Sequence, residues 1–101
     1  MPMTSTKPLR LPHRLVADTR AQVRDAALRH LDSLHAEHAT ELRLDLGDVR
    51  EVDIGGIGIL VLVQKRAREL GMETRLVNAP PAVRRMLDLT QLSHLFDRAA
   101  G

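Results

Sequence analysis

Residues 42–71 read LRLDLGDVREVDIGGIGILVLVQKRARELG, and the apolar pattern changes period part-way along. From Glu41 to Leu46 it alternates: Leu42, Leu44 and Leu46 share one face, Arg43 and Asp45 the other. That predicts a half-buried strand, in a sheet covered on one side and wet on the other. Gly47-Asp48 is a turn signal. Beyond it, IGILVLV (residues 57–63) reads as a strand by propensity alone. The run continues to Leu70, however, with Leu60, Val63, Ala67 and Leu70 at helical spacing. Lys65, Arg66 and Arg68 crowd its C-terminal half, where the helix dipole favours cations, and Gly71 supplies a stop. The segment is predicted to be a helix.

At the junction stands VDIGGIG, residues 52–58, with three of the chain's six glycines. Glycines at a strand-to-helix turn permit close backbone approach or unusual dihedrals. Asp53 is placed to cap the helix. Gly58, one turn further on, would let a strand or a partner lie close. If exposed, Ile54 presents an apolar knob whose burial would contribute about 1.5–3 kcal/mol.

The rest of the chain fits around this centre. Residues 1–8 are expected to be frayed, with a single domain over 9–101. Leu9-Arg10-Leu11 alternates like a short edge strand that Pro12 would end. Asp18 or Thr19 offers a cap for a helix from about 19 to about 37, with Val23, Ala27, Leu31 and Leu34 on one face. Glu73 to Val77 forms another short strand, and Asn78-Ala79-Pro80 a turn. Pro81 suits the first position of a helix with Val83, Met86 and Leu87 on one side and Arg84-Arg85 on the other. Leu89 to Leu92 would close that helix, and Leu95-Phe96 form a last turn or strand. Strand, helix, strand, helix, strand, helix makes an α/β domain. The fold expected is a small mixed β-sheet covered by helices mainly on one face.

Composition narrows the function. A chain of 101 residues supports one modest core, and 44% hydrophobic residues suffice to build it. Phe96 is the sole aromatic, which disfavours stacking platforms for single-stranded nucleic acid or sugars. The absence of cysteine excludes disulfides, a thiolate nucleophile and Cys-type zinc sites, and fits a reducing cytoplasm. No signal peptide or membrane-length apolar run is visible, so a soluble cytoplasmic protein without membrane insertion is expected. The isoelectric point is 9.9, but the formal charge is only +2. Cations interleaved with acids mark a solvated surface, and no nucleic-acid partner is expected.

Catalytic and metal constellations are weak. His30, His35 and His38 have zinc-compatible helical spacing but no second ligand pair, so no metal is assigned. There is no phosphate-binding loop, and GGIG is too short for a dinucleotide fingerprint. Ser33 and Ser93 lack a nucleophile elbow. Neither an enzyme nor a cofactor is expected.

Two stretches together resemble the STAS domain of bacterial anti-sigma-factor antagonists and sulfate-transporter tails. In that family a strand leads into Asp-Ser-Ser/Thr-Gly and a glycine-studded helix. A later Pro-Ala-Val-x-Arg helix ends in Asp-hydrophobic-Ser/Thr-x-Leu. Here the first element reads Asp53-Ile54-Gly55-Gly56, the second Pro81-Ala82-Val83-Arg84-Arg85 and then Asp88-Leu89-Thr90-Gln91-Leu92. The resemblance covers roughly residues 40 to 96, and less clearly 15 to 34.

The resemblance implies a regulatory binding module without catalysis. An antagonist of this kind docks on an anti-sigma factor with a histidine-kinase-type ATPase fold, which ends the contact by phosphorylating the first hydroxyl after the aspartate. Ile54 occupies that position and cannot accept phosphate, while Gly55 replaces the neighbouring Ser or Thr. Val16 stands where the family often has an acid near the first helix, although Asp18 is close by. The implied partner surface comprises Asp53, Ile54, Gly55, Gly56, Ile57 and Gly58, engaged without the usual phosphorylation switch. Association with other STAS proteins or with itself is compatible with this. A second relationship within the family is the accessory STAS subunit of a lipid-trafficking ABC transporter, whose Asp-Thr-Gly-Gly element docks on the ATPase subunit.

Overall fold

Glycine closes one helix and its φ of +81° shows how: Gly71 takes the left-handed conformation just past α2, Ile54–Glu69. Its N–H donates to the Arg68 carbonyl at 3.0 Å, and the Met72 N–H to the Ala67 carbonyl at 2.8 Å. These two bonds satisfy carbonyls the helix end would otherwise leave bare. The same closure ends α1, Arg20–Ala36, at His38, and α3, Pro81–Leu89, at Gln91. Sequence could place a stop at Gly71, but His38 and Gln91 have side chains, and nothing in their type announces a positive φ.

The computed structural model describes residues 7–96. Strands β1, Leu9–Arg10; β3, Glu41–Asp45; and β5, Glu73–Val77, form a sheet in the order β1-β3-β5. Two further strands, β2, Arg14–Leu15, and β4, Glu51–Val52, pair separately. Every pairing among the described residues is parallel, where one mixed sheet was expected. The helices explain the direction, since each successive strand of the larger sheet is reached through a helical crossover. β2 and β4 escape a reading by pattern because two residues carry no period.

Register places Leu42, Leu44 and Leu76 on one face with Thr74, and Arg43 beside Arg75 on the other. Leu42, Leu44 and Leu46 are wholly buried beneath Ala27 and Leu31 of α1, Ile57, Leu60 and Val63 of α2, and Val83 and Leu87 of α3. Each such leucine contributes about 1.5–3 kcal/mol by leaving water. The opposite face stays wet. There Glu41 meets Arg75 at 2.7 Å and Arg43 at 3.6 Å, so charge pairs occupy a face that parallel sheets normally cover. The expectation of helices on one face holds.

The first helix runs within one residue of its expected bounds, but its cap differs. Thr19 holds the cap position without a capping side-chain bond; its hydroxyl donates to the Arg14 and Val16 carbonyls. Pro81 does open α3, and a short 3-10 turn, Ser93–Leu95, follows it. Of the segment expected to be frayed, residues 1–6 lie outside the described residues, while the Lys7 carbonyl lies 2.9 Å from His30 Nε2.

Candidate functional site: the start of the second helix

Asp53 leaves β4 with extended dihedrals, φ −133° and ψ −177°, and caps α2. Its Oδ1 accepts from the Gly56 N–H at 2.9 Å, the bond that a cap should make to the third helical residue. Its Oδ2 accepts from the Ala17 N–H at 3.3 Å, and its own N–H donates to the Leu15 carbonyl at 3.3 Å. One residue thus clasps β2, the turn after it and the start of α2. The Gly56 N–H, followed by those of Ala17 and Gly55 and the charge of Arg14, holds the carboxyl below its ordinary value against an opposing desolvation.

The glycines divide by what lies over them. A Cβ on Gly56 would stand 1.8 Å from the Leu15 carbonyl oxygen, and one on Gly55 would stand 2.8 Å from the Ala17 Cβ. Both exist so that β2 and its turn can lie against the helix. Gly58 has open space where a Cβ would go, so the strand envisaged there is absent. Ile54, the first residue of α2, is 64% exposed on this tightly held backbone.

Of the six residues expected at a partner surface, two are elsewhere. Ile57 is fully buried in the core, because three residues past Ile54 leave it about 60° short of a full turn, rotated toward the side of α2 that packs on the core. Gly56 is buried beneath Leu15. Asp53 and Gly55 are half-buried, and Ile54 and Gly58 face outward. Leu62, 42% exposed, was missed, yet it stands one turn beyond Gly58 and two beyond Ile54, on the same stripe. Val16 is buried.

Ile54 offers neither nucleophile nor proton, and the Asp53 carboxylate is spent on backbone donors. Among the described residues, no three His, Cys, Asp or Glu side chains converge as metal ligands. His38 sits in the closing turn of α1, and Ser93 donates to Asp88. No helix among the described residues is long and apolar enough to cross a membrane.

A family model described as "Mlab, STAS domain" matches residues 4–97. The chain belongs to the STAS domain family. That match spans β1 to the last turn, including both elements on which the resemblance rested. No curated protein matches the chain significantly. STAS domains are regulatory, protein-interaction modules and generally non-catalytic, which accords with a clasped, apolar-tipped helix start in this one.

Proposed function

We propose that this STAS domain is a docking subunit of the anti-sigma-factor antagonist kind, engaging an anti-sigma factor of histidine-kinase-type ATPase fold independently of phosphorylation. The supporting observation is Ile54, exposed on the first residue of a helix whose start is clasped from two sides. A rigid apolar knob loses little freedom on binding, so its burial counts almost fully, about 1.5–3 kcal/mol. An aliphatic side chain also has no oxygen for a kinase to modify, and association has no phosphate to oppose it.

Binding of the purified anti-sigma kinase encoded in the same genome tests the reading. Ile54→Asp should abolish the complex, and the wild-type chain should gain no phosphate from the kinase and ATP. Equal binding by Ile54→Asp would refute the anchor; phosphorylation of any Ser or Thr that releases the partner would refute permanence.

A second reading is favoured by Gly55. A side chain there would press on Ala17, so this backbone suits a glycine pair after the hydroxyl position, as in the Asp-Thr-Gly-Gly element of the transporter accessory subunits. Under that reading the partner is the ATPase subunit of an ABC transporter. The same titration with that subunit in place of the kinase separates the two.

A further inference from the structure

Gly58 is the anomaly of the second helix. A glycine inside a helix costs roughly 0.5–1 kcal/mol relative to alanine. Gly55 and Gly56 offset this by admitting β2 and the turn after it, whereas above Gly58 the space is empty. That space is the floor of a groove of about 790 Å³ between α1 and α2, walled by Leu28, Val61 and Leu62. The groove continues past Arg20 and Arg24 to Gly55, beside Ile54. Along α2 the surface therefore reads knob, notch, knob: Ile54, Gly58, Leu62.

Its rim is cationic. Arg20, Arg24, Lys65 and Arg66 face Asp25 and Glu69. Asp25 lies 3.6 Å from Arg24, and Glu69 3.0 Å from Arg66. Arg20 and Lys65 have no carboxylate within ion-pair distance among the described residues. They stand near opposite ends, since Gly55 and Lys65 are separated by about 15 Å of helix.

We propose that this groove receives an amphipathic α-helix of the protein partner, with an apolar side chain seated over Gly58 and acidic residues near each end facing Arg20 and Lys65. The inference deepens the proposed function, and rests on it for the existence of a protein partner. A helix is the shape that fits: one apolar residue drops between Ile54 and Leu62 as a knob into a hole, and the groove runs between two helices. Acidic flanks follow from the two uncompensated cations. A second copy of this chain facing groove to groove fits poorly, because it would bring the same cations together.

The test uses a displayed library of amphipathic helices, randomised at apolar and flanking positions and selected against the full chain. Enriched helices should carry acidic residues toward both ends and one large apolar residue centrally. Gly58→Leu, which fills the notch from open space, should weaken them by about tenfold or more, as should Leu62→Gln. The double reversal Arg20→Glu with Lys65→Glu should exchange the preference for basic flanks. Helical content of each variant, measured alongside, keeps loss of binding apart from loss of fold. Neutral or basic flanks in the enriched set, or undiminished binding by both Gly58→Leu and Leu62→Gln, would overturn the inference. So would a dimer of the wild-type chain in sedimentation that Gly58→Leu dissolves. If a protein partner is lost with Ile54→Asp but kept with Gly58→Leu, docking at Ile54 stands and the groove does not. If acidic helices need Gly58 while the partner ignores Ile54→Asp, the Ile54 anchor alone falls.

Discussion

Gly56 and Leu15 are in backbone contact: a Cβ on Gly56 would lie 1.8 Å from the Leu15 carbonyl oxygen and 2.5 Å from its carbonyl carbon. Neither atom can swing aside as a side-chain tip could. Three nearby glycines therefore make a graded prediction. Gly56→Ala should lower unfolding free energy by about 3 kcal/mol, the upper range for overpacking. Gly55→Ala, pressing on Ala17, should cost about 1 kcal/mol after the helix gains from alanine. Gly58→Ala should stabilise by about 0.5–1 kcal/mol. Urea midpoints at constant slope measure all three, and any other rank order contradicts the packing described.

The cap predicts an acid-sensitive term. The Asp53 carboxyl is lowered chiefly by the Gly56 N–H, with further help from Ala17, Gly55 and Arg14. A depressed folded value means the charged form stabilises the fold above the unfolded value of 3.8, and this contribution fades as pH falls through the folded value. Asp53→Asn keeps an oxygen for Gly56 but loses the charge. The melting-temperature gap between wild type and Asp53→Asn should be open at about pH 7 and narrow as pH falls below 3.8. A gap that widens in acid would reverse the sign and remove this account of the cap.

Ile54 separates stability from association. Being exposed, it can become aspartate with a change within about 0.5 kcal/mol, and a carboxylate in the first turn suits the helix dipole. Chemical unfolding of Ile54→Asp should therefore match wild type while its partner complex is lost. A marked loss of stability would mean the side chain supports the fold, and the binding result would then say nothing of docking.

How much of this was legible before the structure depends on the length of the pattern. The α2 segment carries its period far enough to outvote the strand propensity of IGILVLV, and Leu42, Leu44 and Leu46 announce a buried face in three residues. β2 and β4 are too short to announce anything, so the close approach expected at Gly56 had no visible partner: the strand that crosses it is Arg14–Leu15. The site was half-legible for the same reason. Asp53 and Ile54 follow from the resemblance of Asp53-Ile54-Gly55-Gly56 to the STAS motif, but that motif also puts buried Ile57 at the surface and gives no sign of Leu62. Deciding which face of α2 is covered needs the position of the sheet.

Gln64 makes the last prediction. It lies on α2 with 8% of its surface exposed, and its Oε1 has no protein hydrogen-bond partner among the described residues. A desolvated carbonyl oxygen left unpaired costs about 1–3 kcal/mol, whereas a shape-matched apolar group in its place costs nothing of the kind. Methionine has a similar length and flexibility and can follow the same path through the packing. Gln64→Met should therefore raise unfolding free energy by about 1 kcal/mol, after allowing for imperfect fit. The neighbouring strand offers a control: Thr74 on β5, 5% exposed, also has an unpartnered hydroxyl, and Thr74→Val should stabilise in the same direction. If Gln64→Met unfolds at lower urea than wild type while Thr74→Val does not, the amide is bonded in solution and its place in the core is not a strain the fold carries.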